Sequence, residues 1–200
     1  TLPARARRRF LDGDFLDQVD GALFKVADID KGRMDRADGL VQIGVAIDPA
    51  VSSGENSAET GIMVGGIDDQ KVAHAYLLAD LSGKYKPTEW AKKAIDAYYR
   101  YEADFIVAEI NQGGDMVRQT IHSIDPNVKV RTVRATKGKV TRAEPISAFY
   151  EQGRVHHVGV FHELEEQLTT YIGDPAQPRP ARFDSAIWLF TSHLLKSGPP

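Results

Sequence analysis

Two carboxylates stand where an otherwise apolar run gives out. Residues 41–48 (VQIGVAID) are nearly all apolar or β-branched and end on Asp48, and residues 104–110 repeat the pattern through Phe105, Ile106, Val107 and Ala108 to Glu109. Runs of this kind read as strands buried on both faces, so each acid sits where a sheet leaves its own core. A third acid, Asp184, opens a segment that is apolar almost all round, from Phe183 through Ile187, Trp188 and Phe190 to Leu195. Carboxylates about 4 Å apart repel by roughly 4 kcal/mol at an effective dielectric of about 20. A divalent cation removes that cost. The chain has no cysteine, which leaves oxygen and imidazole as ligands, and hard oxygens suit Mg²⁺ or Mn²⁺. Two such ions about 3.5–4 Å apart activate water and stabilise a leaving oxygen in phosphodiester hydrolysis. Asp48, Glu109 and Asp184 would then be metal ligands and not general acids.

Each acid taken singly has a plainer explanation: a helix dipole for Asp184, an Asp-Pro turn with Pro49 for Asp48, an arginine partner for Glu109. The metal reading rests on the three together. Asp80, at the end of a third strand, is a secondary ligand candidate or a turn residue before Ser82 and Gly83. Asp115 is most simply a helix N-terminal acid.

Positive charge is concentrated in residues 129–142, where Lys129, Arg131, Arg134, Lys137, Lys139 and Arg142 occur with no acid among them. Such a cluster gives sequence-independent, salt-sensitive contact with a phosphate backbone, or is a solvated loop. Lys137-Gly138-Lys139 is no nucleotide-binding loop: the earlier glycine of that motif is missing and Val140 stands in place of the Ser or Thr. His156 and His157, after a short strand and beside apolar residues, are assigned no role, and Trp90 and Trp188 fit helix cores.

The elements that must position these residues follow from local pattern. Strands are expected at 41–48, 60–67 and 71–80, the last two joined by a hairpin at 68–70, giving a three-stranded antiparallel meander. Pro87 opens a helix with Trp90, Ala94, Ala97, Tyr98 and Tyr101 on one face. A buried strand at 104–110, a helix ending near Ile124 and a strand at 127–133 come next. Helices at about 142–152, 161–171 and 183–195 complete the chain, the first with a capping-box pattern, Thr141 to Glu144. The fold class is therefore mixed α/β, a meander followed by crossover units. A crossover helix lets the fourth strand run parallel to the first, which would bring Asp48 and Glu109 to one edge.

Two hundred residues, 42% hydrophobic and 26% charged, fit one globular domain with appendages. A net charge of −3 argues against a uniformly basic nucleic-acid binder. The missing cysteines exclude disulfides and thiolate sites and point to a reducing compartment. No apolar run is long enough for a bilayer and none follows Arg5 to Arg9, so neither a membrane partner nor secretion is expected. Residues 1–38 read as an N-terminal arm or linker, with alternating clusters of arginine and aspartate and an apolar stripe (Leu11, Phe15, Leu16, Val19, Leu23, Phe24) that could meet a neighbouring domain. Residues 39–200 hold the domain itself.

Several blocks, taken in order, resemble the nuclease domain of tailed-phage large terminases: IDPA at 47–50, TGIMVGG at 60–66, AEINQGGDMV at 108–117, KGKVTRAEP at 137–145, EQGRVHH at 151–157, LEEQ at 164–167 and RFDSAIW at 182–188. The likeness covers nearly everything from Val41 onward. It implies an RNase H-like (RuvC-like) fold and a two-metal endonuclease that cuts concatemeric double-stranded viral DNA during packaging in the host cytoplasm. It also implies an ATPase domain ahead of the arm, with the portal protein and the small terminase subunit as partners. Carried over by position, the family acids fall on Asp48, Glu109 and Asp184. Where many relatives have an acid just before the arginine of the last block, this chain has Ala181, so a further ligand from that end is not implied. The alternatives are another RNase H-like nuclease, such as a junction resolvase or RNA-strand cutter, and a catalytically silent DNA- or protein-docking module. An actin-like nucleotide-binding fold shares the meander but would need a glycine-rich turn where Asp48-Pro49 stands.

Overall fold

The protein is described from a computed structural model covering residues 19, 21–50, 58–110, 116–136, 138–174, 177 and 180–195. Six strands form one sheet: β1 (Leu40–Asp48), β2 (Gly61–Asp68), β3 (Ala75–Asp80), β4 (Phe105–Glu109), β5 (Val130–Val133) and β6 (Val155–His157). Their spatial order is β5-β4-β1-β2-β3-β6. β1, β2 and β3 form the antiparallel meander, and β4 joins the far side of β1 in parallel, followed by β5. β6 extends the opposite edge, parallel to β3. The helices are α1 (Val26–Lys31), α2 (Pro87–Arg100), α3 (Met116–Ile124), α4 (Lys139–Glu151), α5 (His162–Thr170) and α6 (Ala181–Leu194). They cover both faces of the sheet, as a sheet with parallel strands requires.

Side-chain alternation along the strands divides the core in two. Val45 and Ile47 of β1, with Ile106 and Ala108 of β4, face α2 and α3 and pack with Trp90, Ala94 and Ile121. Ala46 and the β4 residues Phe105 and Val107 face the other way, toward Phe183, Ala186, Ile187, Leu189 and Phe190 of α6. α6 can lie close because Gly61 carries no side chain: a Cβ there would run into the Ala181 carbonyl and the Ser185 hydroxyl. One missing methyl group thus sets how near the first turn of α6 comes to β2.

Several expected boundaries move. β3 starts at Ala75, not at 71, because Asp68 ends the preceding turn by accepting bonds from the Gln70 and His74 amides and the Tyr76 hydroxyl. β5 is four residues and begins only after a turn in which Asp125 accepts from the Asn127 amide. α4 starts at Lys139 with Gly138 as its N-cap. Thr141 is then already inside the first turn, so the capping box expected from Thr141 to Glu144 does not form. β6 includes both histidines, and the expected element order had passed over it.

Residues 24–34, within the stretch expected to be an arm, pack against the later elements of the chain. Phe24 is buried edge-on against Tyr150 and Phe183. Ile29 is buried, and Met34 bridges Val158. Arg33 holds Glu165 through two bonds, 2.7 and 3.2 Å. Glu165 also accepts from His157 Nδ1 at 3.0 Å, and the Tyr150 hydroxyl, 2.8 Å from His157 Nε2, completes the chain. A carboxylate only accepts, so Nδ1 carries the proton and Nε2 takes the Tyr150 O–H. Burial lowers the pKa of His157, outweighing its bond to Glu165, and leaves it neutral.

Burial alone would raise Glu165, but the bonds from His157 and Arg33 outweigh it and hold the carboxyl at about 2. A depressed acid contributes stability above its unfolded pKa and loses it as pH falls through the folded value. The network should therefore begin to fail below about pH 4.5 and be lost near pH 2. Glu165→Ala should cost about 3–5 kcal/mol in urea unfolding at pH 7 and should flatten the acid limb of the stability curve; an unchanged acid limb would contradict this account.

Candidate active site

Asp48 and Glu109 each stand one residue beyond the last registered pair of β1 and β4, Ile47 with Ala108. Because the strands are parallel, both acids leave the sheet at the same edge. Alternation turns both toward α6, the side on which Ala46 and Val107 pack. Asp184, in the first turn of α6 and 2% exposed, faces them. The structure thus brings the three predicted acids together from three elements.

The electrostatics record that proximity. Burial, then the charges of Asp184 and Glu109, push the Asp48 carboxyl up to about 7 despite Lys139 and Arg142 nearby. Asp184 is also raised, chiefly by burial, with Lys139 and Arg142 pulling against it. Two cations from α4 enter the cluster. The Lys139 ammonium pairs with Asp184 Oδ2. Arg142, one turn along, lies 3.5 Å from Asp184 Oδ1 and 3.7 Å from Glu109 Oε2, with its guanidinium 4.4 Å over the Trp188 ring. Trp188 donates its indole N–H to Glu109 Oε2 at 2.7 Å, fixing that carboxylate. Three acids thus face two positive charges.

Among the described residues no group of three His, Asp or Glu side chains is placed to enclose a single ion. The donor set nevertheless fits hard divalent cations: oxygens only, crowded enough that one carboxyl is held partly protonated at neutral pH. Each acid feels the other two: Asp48 is raised by Asp184 and Glu109, and Asp184 in turn by Glu109.

The remaining predicted residues are dispersed. Asp80 is not drawn into the trio. Its carboxylate takes the Arg182 Nε and the Ser82 amide, both at 2.9 Å, and Arg182 also pairs with Glu59. Of the predicted phosphate contacts, Arg131 is exposed and stacks 3.8 Å over the Phe105 ring, and Arg134 is exposed. Lys139 and Arg142 turn inward onto the acids. Lys137 lies outside the described residues. Trp188 was expected only as helix core; its spacing of four from Asp184 puts both on one helix face, which was the available sign that it meets the same site.

A mixed sheet of this order with helices on both faces defines an RNase H-like fold. The family model for the terminase RNaseH-like domain matches residues 45–188, and the chain belongs to that family. No curated protein matches it. Among solved structures, the nuclease domain of the large terminase subunit of bacterial virus Sf6 is similar with a TM-score of 0.63 at 11% identity, over 83% of this chain and 96% of that one. The large terminase nuclease of thermophilic phage G20c with bound magnesium gives 0.59 at 12%, over 87% and 98%. The large terminase of a second thermophilic bacteriophage gives 0.66 at 8%, over 96% of this chain and 52% of that one, so the chain spans about half the length of that protein.

Raising an acid's folded pKa works against the fold once the group ionises: the stability is present below the unfolded value of 3.8 and lost as pH rises through about 7. Asp48→Asn should therefore stabilise the metal-free protein at pH 8, by on the order of 1–3 kcal/mol, while having little effect at pH 4. Chemical denaturation at the two pH values checks this, and equal effects at both would contradict it.

Proposed function

We propose that this domain is the divalent-metal-dependent endonuclease of a phage DNA-packaging terminase, cleaving concatemeric double-stranded DNA by two-metal phosphodiester hydrolysis. The observation that carries the reading is the convergence of Asp48, Glu109 and Asp184 on one sheet edge, at a like-charge cost that a structural role gives no reason to accept. The G20c nuclease, whose fold this chain shares, binds magnesium, and crystals of it also hold cobalt and zinc. These support Mg²⁺ or Mn²⁺ here, which Asp48, Glu109 and Asp184 would hold.

A pair of divalent ions supplies Lewis acidity that activates water and stabilises the leaving oxygen. The protein's own groups do the rest. Trp188 keeps Glu109 oriented through its N–H. Arg142, stacked on Trp188, places a fixed positive charge beside Glu109 and Asp184. Arg131 and Arg134, exposed on and just after β5, meet the phosphate backbone without reading sequence. In this reading the domain works in the host cytoplasm with the ATPase domain of a longer chain, the portal protein and the small terminase subunit. The two-fold greater length of the terminase matched above supports the additional domain, and among the described residues no helix is long and apolar enough to cross a membrane.

With Mn²⁺, the protein should nick and linearise supercoiled plasmid. Asp48→Asn and Asp184→Asn should each lower the rate by about 100-fold or more with unchanged circular dichroism. Branched DNA and RNA–DNA hybrid run alongside should be no better substrates than plain duplex. Undiminished cleavage by both variants, or preference for a branch or a hybrid, would overturn the proposal.

A further inference from the structure

Lys139 occupies a position that helix formation does not explain. It is the first residue of α4, where the helix dipole disfavours a cation, and no acid stands in that first turn to compensate. Its partner is Asp184, whose side chain is 3% exposed. The ammonium therefore lies on a carboxylate oxygen that the proposed metal centre needs. The two cations of the cluster are held very differently. Arg142 is 11% exposed and pinned between Trp188, Glu109 and Asp184, whereas a third of the Lys139 side chain is open to solvent and Asp184 is the only partner seen for its ammonium among the described residues. A lysine stem of four methylenes can carry its charge out to solvent without repacking the core.

We propose that Lys139 is a built-in counter-cation that competes with the divalent metal for Asp184, so that loading the site requires the ammonium to leave. This rests on the metal-nuclease reading above. With Lys139 in place, three acids face two cations and the site carries at most one net negative charge. Removing it leaves at most two, and a nearby divalent ion feels the difference strongly in a partly buried site. A residue serving only to contact DNA phosphate would leave metal affinity unchanged when removed. A residue needed to hold the site together would weaken it.

Mn²⁺ binding without DNA separates these, read as free Mn²⁺ by electron paramagnetic resonance on the full chain. Lys139→Met should bind Mn²⁺ about tenfold more tightly than the wild type. Lys139→Gln should move the same way, and Lys139→Arg, which keeps the charge, should stay within about threefold. Affinity equal to or weaker than the wild type in both neutral variants overturns the proposal. Asp48→Asn separates the two levels of inference. If the wild type binds, Asp48→Asn does not, and the neutral Lys139 variants gain nothing, only the role of Lys139 falls. If the wild type and the Lys139 variants all fail to take up Mn²⁺, the metal reading falls and this proposal with it.

Discussion

Three carboxylates with one sign of charge share a corner of the sheet, and much of the surrounding structure exists to hold them there against their repulsion. Asp48 shows the strain most directly: burial and its two acidic neighbours raise its carboxyl to about 7. Lys139 and Arg142 relieve part of it, and Trp188 fixes the third acid by a single directed bond. A protein selected only for stability has easier sequences available, since replacing such a cluster by apolar side chains is often neutral or stabilising. Persistent local cost at the edge of a well-packed core is the usual mark of a working site.

The frame that imposes this cost is rigid. Parallel pairing of β1 with β4 fixes Asp48 and Glu109 at the same level, because the register over Gly44 to Ile47 leaves no freedom to slip without turning apolar side chains out of the core. α6 supplies Asp184 from a helix buried on nearly every side, and its distance from the sheet is set by backbone contact at Gly61. On the far edge, the segment just after α1 is tied to α5, β6 and the end of α4 through Arg33, Glu165, His157 and Tyr150. That network lies away from the acids and secures the chain just before it enters β1.

Much of this was legible in the residues. Continuous apolar runs marked β1 and β4, Pro87 marked the start of α2, and an acid closing each run marked two of the three corners. The mixed sheet followed from the order of elements. What escaped were features that depend on partners distant in sequence. β6 is only three residues, so the short strand read ahead of the two histidines neither entered the element order nor was seen to include them. Lys139 and Arg142 read as part of a basic loop because nothing local to 129–142 reveals that α4 begins at Lys139 and turns them onto Asp184 and Glu109. Asp80, another acid at a strand end, read as a secondary ligand or a turn residue; two strands separate β3 from β4, and Arg182 and the Ser82 amide claim it. Phe24 read as part of an outward stripe, whereas Tyr150 and Phe183, more than a hundred residues away, bury it.

The central claim is that Asp48, Glu109 and Asp184 form one divalent-metal centre. A crystal of the protein soaked with Mn²⁺, with data collected at the manganese absorption edge, tests it with least intervening inference. Anomalous peaks between these three carboxylates are the predicted result. Peaks confined to other surface acids, with the trio still neutralised by Lys139 and Arg142 at saturating Mn²⁺, would contradict it.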